Sequence, residues 1–140
     1  KICSAIENYI PQNNRSQLTK TEKNSLIIDA YNANPTSMEA AIINFEQMNV
    51  DNKIVILGDM RELGEKSIEE HQKIVNLLTK SHLKNVFLIG ENFKSLNSNF
   101  QSFINTDEFI SYLQKNEIKD CFVLIKGSRG MKMEKTIEYL

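Results

Sequence analysis

The sequence lacks the patterns that mark several protein classes. No apolar run approaches the roughly 18 residues that a membrane-spanning helix needs, and no basic-then-apolar leader opens the chain. The 17 lysines and arginines are balanced by 18 aspartates and glutamates, which gives a net charge of −1. Such a balance gives no electrostatic reason to bind nucleic acid or an anionic membrane. We therefore expect neither as a partner.

Cysteine and histidine are also scarce. Cys3 and Cys121 stand far apart without CxxC spacing, and Cys121 opens an apolar run. We expect both thiols to be reduced, which suits a cytoplasmic protein. Neither His71 nor His82 has a second histidine or cysteine at metal-ligand spacing. The sequence therefore predicts no metal site within this chain, and no Ser-His-Asp or Cys-His arrangement follows from the spacing.

The 140 residues suffice for one domain with a sizeable core. The chain begins at Lys1 without a methionine, so we expect a piece of a longer protein. Pro11-Gln12-Asn13-Asn14 is a cluster of turn-forming residues, typical of a linker. We predict an interdomain connector with a short helix over residues 1–22 and an α/β domain over residues 23–140.

Short apolar runs alternate with segments of helical period, the pattern of βα units on a parallel sheet. We predict a Rossmann-like, doubly wound, mostly parallel sheet with helices on both faces. The predicted strands are 24–29, 53–57, 86–89 and 122–125, with a short edge strand at 100–104. One predicted helix is capped by Thr36 or Ser37, and another is capped by Thr106. Two more helices are predicted to start near Ser67 and at Met131.

Polar loops follow the first, second and last strong strands, at 29–35, 58–65 and 126–130. Ligands bind at the carboxyl ends of open parallel sheets, so these loops form a candidate site. Simpler interpretations stand beside this one. Asp29 and Asn34 are good helix caps, and Asp59 is a good turn former. The loop at 126–130 has phosphate-binding glycines but lacks the GxxxxGK[ST] spacing of a P-loop.

Taken together, four ordered motifs are more specific than any one loop. Asn13–Gln17, Asp29–Met38, Leu57–Gly64 and Lys126–Met131 closely resemble the carboxy-terminal domain of the bacterial Mur ligases, in particular the member that adds D-alanyl-D-alanine. The resemblance implies an ATP-dependent, three-domain, monomeric and cytoplasmic enzyme of peptidoglycan synthesis. Upstream domains would hold the UDP-N-acetylmuramoyl-tripeptide, the P-loop and Mg²⁺, and this domain alone would be inactive.

The resemblance also assigns roles to individual residues. Arg15 is the predicted catalytic residue, an arginine that reaches the ATP phosphates when the domain closes. Asp29 would accept hydrogen bonds from the ribose hydroxyls, while Lys126 is a candidate for supporting its loop. The remaining predicted contacts are Tyr31, Asn32 and Asn34 for the adenine, and Asp59, Arg61, Ser128 and Arg129 for the dipeptide.

Two other classes of function stay open. A sister Mur, folate or cyanophycin ligase would share the fold but accept another amine. A free-standing, doubly wound regulatory module is the second alternative. A receiver-type module needs an acidic pair near its first strand, and Asp59 has no such pair.

Overall fold

The structure, a computed structural model, describes residues 17–29 and 33–140. Its centre is a six-stranded sheet in the order β1-β2-β6-β3-β4-β5. The strands are parallel except for β1, which pairs antiparallel with β2 at the edge of the sheet. The strand bounds are β1 Gln17–Lys20, β2 Ser25–Asp29, β3 Lys53–Gly58, β4 Asn85–Ile89, β5 Gln101–Phe103 and β6 Phe122–Lys126.

In the described residues, four α-helices connect the strands: α1 Pro35–Gln47, α2 Ser67–Lys80, α3 Glu91–Lys94 and α4 Thr106–Lys115. Short 3₁₀ helices cover Gly64–Lys66, Arg129–Met131 and Met133–Tyr139. None of the helices in the described part of the chain has the length and apolar character that crossing a bilayer requires.

The sheet is covered on both faces because successive strand residues point to opposite sides. Val55 and Leu57 belong to a core shared with α1 and α2, whereas Ile54 and Ile56 belong to a second core with α4 and the last 3₁₀ helix. The predicted doubly wound, mostly parallel α/β fold is thereby confirmed. The edge strand predicted at 100–104 is confirmed as β5.

Several predicted boundaries are wrong in detail. Helix α1 is capped by Asn34, whose side chain accepts a hydrogen bond from the Ser37 N–H at 2.9 Å, and not by Thr36 or Ser37. Asn105, not Thr106, likewise caps α4. The last segment forms 3₁₀ turns because Lys132, with φ 55°, interrupts any continuous helix from Met131. Strand β1 lies inside the range 1–22, and the connector boundary at residue 22 stays a prediction.

Candidate ligand site at the carboxyl edge of the sheet

The carboxyl ends of the parallel strands bring the predicted polar loops to one edge. Asp29 ends β2 and is paired in register with Lys126, the last residue of β6. Gly58 ends β3 and is paired with Ile89, the last residue of β4. The three loops named in the sequence therefore share one edge, together with the loop after β4.

Asp29 is held by a buried lysine. Lys126 Nζ lies 2.5 Å from Asp29 Oδ2, and the Lys126 residue is 1% exposed while the Asp29 side chain is 14% exposed. A buried ammonium needs such a partner. The ion pair consequently fixes the orientation of the Asp29 carboxylate, as expected of a lysine that supports its loop.

Asp59 is almost fully buried and is used as a cap. Its Oδ2 accepts hydrogen bonds from the Asn92 N–H at 2.9 Å and the Asn92 side-chain amide at 3.1 Å, and its Oδ1 accepts one from the Phe93 N–H at 3.1 Å. These donors belong to the first turn of α3, where an anion is favourable. Asp59 thus joins the loop after β3 to the loop after β4.

Ser128 joins the third loop to the same residue. Its N–H and its hydroxyl both donate to the Asp59 carbonyl oxygen, at 3.2 Å and 2.9 Å. With 6% exposure, Ser128 is buried, whereas the neighbouring Arg129 is exposed. The sequence predicted all three as dipeptide contacts, and the structure gives Asp59 and Ser128 structural hydrogen bonds instead of open positions.

His71 is a member of this network that sequence reasoning placed in a helix without giving it a role. It is fully buried in α2, and its Nε2 accepts a hydrogen bond from the Met60 N–H at 3.0 Å. Its ring meets Phe93 edge-on, with centroids 4.7 Å apart. The helical spacing of His71, Ile74, Val75 and Leu78 could have revealed it, since these four residues form the buried face of α2.

Arg61 is exposed and projects from the β3 loop across the turn after β6. Its Nη2 lies 3.7 Å from Met131 Sδ, and a Cβ placed on Gly130 would come within 3.2 Å of its Nε. The absence of a side chain at Gly130 therefore lets the arginine lie against the Arg129–Met131 turn.

Two clefts flank Arg61. The first, of about 330 Å³, runs between Arg61 and the start of α4. Lys135 and Asp107 lie on it, 2.8 Å apart, and the hydrogen bond and charge of Asp107 raise the pKa of the Lys135 ammonium. The second cleft, of about 370 Å³, lies between residues 60–64 and the start of α3. An exposed guanidinium between two polar clefts is suited to binding a carboxylate.

Three of the predicted site residues, Arg15, Tyr31 and Asn32, lie outside the described residues. Asn34 is described and caps α1, so the simpler interpretation of this residue applies to its side-chain oxygen. Within residues 17–29 and 33–140, no group of three or more histidine, cysteine or carboxylate side chains is placed to hold a metal ion.

The structure is a doubly wound α/β domain whose polar loops gather at the carboxyl edge of its sheet. The sequence model of a protein family, described as Mur ligase, glutamate ligase domain, matches residues 14–129. The chain belongs to the Mur ligase family.

The curated relatives include proteins named UDP-N-acetylmuramoyl-tripeptide–D-alanyl-D-alanine ligase. The protein from Rickettsia prowazekii is 32% identical over 89% of this chain and 29% of its own length. The protein from Buchnera aphidicola of Acyrthosiphon pisum is 38% identical over 85% of this chain and 27% of its own length. The chain thus spans less than a third of these relatives.

Solved structures agree with the family assignment. MurF from Acinetobacter baumannii aligns with a TM-score of 0.71 at 30% identity, over 89% of this chain and 29% of that one. MurF ligase from Thermotoga maritima, solved in complex with ADP, aligns with a TM-score of 0.74 over 89% of this chain and 30% of that one. At 23% identity, the second comparison supports the fold alone.

Proposed function

We propose that this chain is the carboxy-terminal domain of an ATP-dependent ligase that adds D-alanyl-D-alanine to UDP-N-acetylmuramoyl-tripeptide during peptidoglycan precursor synthesis. The observation that carries the proposal is the match to relatives of that name over 85% and 89% of this chain. The full protein would work as a cytoplasmic monomer, where ATP and the nucleotide-linked tripeptide are available.

In the proposed reaction, a carboxylate oxygen of the tripeptide attacks the γ-phosphorus of ATP, and ADP leaves. The amine of the dipeptide then attacks the acyl carbon of the resulting acyl phosphate. The tetrahedral intermediate expels inorganic phosphate, and the amine nitrogen loses a proton as the amide forms. Mg²⁺, held by upstream domains, would neutralise phosphate charge. This chain would bind and orient the nucleotide and the dipeptide, and would not ligate by itself.

The β2 and β6 ends are proposed to hold the nucleotide. Asp29 is partly exposed and oriented by Lys126, so its carboxylate is suited to accept hydrogen bonds from two ribose hydroxyls. Asn34 has its side-chain oxygen engaged with the Ser37 N–H, which leaves its amide N–H groups as the atoms for the adenine. Contacts from Tyr31 and Asn32 to the adenine, and from Arg15 to the phosphates, remain part of the proposal.

The β3 and β6 loops are proposed to hold the dipeptide. Arg61 and Arg129 are the exposed cations of these loops, and a guanidinium binds a carboxylate with paired hydrogen bonds. The contacts of Asp59 and Ser128 favour a supporting role for both residues. Direct contact of either residue with the dipeptide stays a prediction.

The test is turnover by the full-length protein with ATP, UDP-N-acetylmuramoyl-tripeptide and a series of amines. We expect ADP release that depends on D-alanyl-D-alanine and not on single amino acids. A sister ligase would instead use a single amino acid, and a regulatory module would release no ADP. Either result would contradict the proposal.

The dipeptide loop is tested by Arg61→Ala in the same protein. We expect kcat/KM for the dipeptide to fall about 100-fold, or about 2.7 kcal/mol, because the terminal carboxylate loses a charged partner. Lys84→Ala is the matched control, since Lys84 is an exposed cation just before β4, at the opposite edge. Arg15→Ala should reduce kcat, and turnover near that of the wild type would remove the role proposed for Arg15.

A further inference from the structure

We infer that His71 is a positioning residue for the dipeptide site: it fixes the loop that carries Arg61 by accepting the hydrogen bond of the Met60 N–H. The inference rests on the proposed function for its substrate, and on described contacts for its geometry. His71 touches no exposed surface, so it would act through the loop and not on the dipeptide itself.

The hydrogen bonds of the imidazole define its tautomer. Nδ1 lies 2.7 Å from the carbonyl oxygen of Ser67, which can only accept, so Nδ1 carries the proton. Nε2 is then the acceptor for the Met60 N–H at 3.0 Å. The ring therefore links the first turn of α2 to the residue that immediately precedes Arg61.

The ring itself is held firmly. It is fully buried in the face of α2 and packs edge-on against Phe93, the residue whose N–H donates to Asp59. An acceptor fixed by helix packing on one side and an aromatic contact on the other has little freedom to follow the loop. The loop must therefore adapt to His71, and not the reverse.

The loop has reason to need such an anchor. Beyond Arg61, the backbone enters the left-handed region at Glu62, with φ 63°, and at Gly64, with φ 60°. A non-glycine residue in this region is conformationally costly and persists where its surroundings hold it. Met60 anchors the turn, because the residue is 1% exposed and its N–H donates a hydrogen bond to His71. Loss of the His71 acceptor would make the start of this turn more mobile. The Arg61 side chain would then no longer be held in one orientation.

Two amide substitutions separate the two bonds of the ring. In His71→Gln the side-chain oxygen can occupy the place of Nε2 and accept the Met60 N–H. In His71→Asn the shorter amide can occupy the place of Nδ1 and donate to Ser67, but it leaves the Met60 N–H unpaired. His82→Asn is the matched control, because His82 is exposed near the far end of α2.

The experiment measures KM and kcat for ATP and for D-alanyl-D-alanine in the full-length protein. We expect His71→Asn to raise the dipeptide KM about tenfold with the ATP KM unchanged, and His71→Gln to stay within about twofold of the wild type. A wild-type dipeptide KM in His71→Asn would overturn the inference. Loss of kcat alone in both variants would do so too, because it would mark a purely structural role.

The hydrogen-exchange rate of the Met60 amide measures how firmly the loop is held, and it does not depend on catalysis. We expect this amide to exchange at least about tenfold faster in His71→Asn than in the wild type or His71→Gln, and equal rates would contradict the inference. If the wild-type protein shows no dipeptide-dependent turnover, the proposed function fails while exchange still decides whether His71 holds the loop. If His71→Asn does not fold, the test is the dipeptide KM of His71→Gln. A raised KM in this variant would contradict the inference, because Gln keeps the acceptor for the Met60 N–H.

Discussion

Each edge of the sheet has a buried polar side chain that joins several loops, and these two side chains differ in kind. Asn24 stands at the amino edge and Asp59 at the carboxyl edge, and each residue is 5% exposed. Asn24 is a neutral amide that donates and accepts, whereas Asp59 is a carboxylate that accepts from the start of a helix.

At the amino edge, Asn24 joins segments that are far apart in the chain. Its amide nitrogen donates to the carbonyl oxygens of Ile118, at 2.9 Å, and Leu140, at 2.6 Å. Its oxygen accepts the Cys121 N–H at 3.0 Å. Every partner of the Asn24 side chain is a backbone group, so the hydrogen bonds of this side chain are satisfied within the fold.

At the carboxyl edge, the Asp59 network supports exposed groups. The same loops carry the exposed residues Arg61 and Arg129. Arg61 lines two polar clefts. The amino edge has a larger cleft, of about 680 Å³, lined by Lys20, Asp51, Asn52 and Asp120 among others. Cleft size alone therefore does not distinguish the proposed site from the opposite edge. The loops that Asp59 joins differ in carrying the two exposed arginines.

The largest predicted effect tests the carboxyl-edge network through Gly90→Ala. Gly90 has φ 126°, and a Cβ there would lie 2.2 Å from Asp59 Cγ. Backbone strain and displacement of the Asp59 carboxylate should together lower the free energy of unfolding by about 4 kcal/mol. Urea denaturation of the 140-residue chain measures this change.

Gly64→Ala is the control for Gly90→Ala. Gly64 also has a positive φ, of 60°, but a Cβ placed on it would meet no atom within 4 Å. Its replacement should therefore lower the free energy of unfolding through backbone strain alone, by about 1 kcal/mol. Equal losses in the two variants would show that contact with Asp59 does not matter.

The second prediction tests the amino edge through Asn24→Ala. The change leaves two buried carbonyl oxygens and one partly buried N–H without the hydrogen bond that Asn24 supplies, which should cost about 3 kcal/mol of unfolding free energy. The dipeptide KM of the full-length protein should not change, because no charged site group depends on Asn24. Urea denaturation and steady-state kinetics measure the two quantities.

Asn76→Ala is the control for this second prediction, since Asn76 is an exposed residue of α2. Its replacement should leave the free energy of unfolding within about 0.5 kcal/mol of the wild type. A raised dipeptide KM in Asn24→Ala would break the proposed division between a structural edge and a ligand-binding edge.

The sequence predicted the fold well because the signals of its strands are local. Apolar runs such as Ile54–Leu57 and Phe122–Ile125 are buried on both faces of the sheet, so each was recognisable without its neighbours. Strand β1 escaped prediction because Gln17–Lys20 has a single large apolar residue, Leu18, and pairs only at the edge. Its pairing with β2 depends on tertiary contact and not on a local pattern.

The sequence predicted that the polar loops share one edge of the sheet, but it did not predict the hydrogen bonds between them. That Asp29, Asp59 and Ser128 share an edge follows from strand order. The capping of α3 by Asp59 does not follow from strand order, because Asn92 and Phe93 are 33 and 34 residues away in the chain. A carboxylate after a strand looks the same in sequence whether it binds a ligand or a helix. Only the tertiary structure shows the three N–H groups from which Asp59 accepts hydrogen bonds.

The smallest predicted effect is that of Gly130→Ala. This variant should displace the Arg61 side chain without changing the stability of the protein. Gly130 has no positive φ, so alanine adds no backbone strain, but its Cβ would meet Arg61 Nε at 3.2 Å and Cζ at 3.4 Å. We expect the free energy of unfolding to change by less than about 0.5 kcal/mol. The dipeptide KM should rise about threefold, since the displaced guanidinium would bind the carboxylate less well. In the Arg61→Ala background the same change should have no further effect on KM, and an additive rise would show that Gly130 acts independently of Arg61.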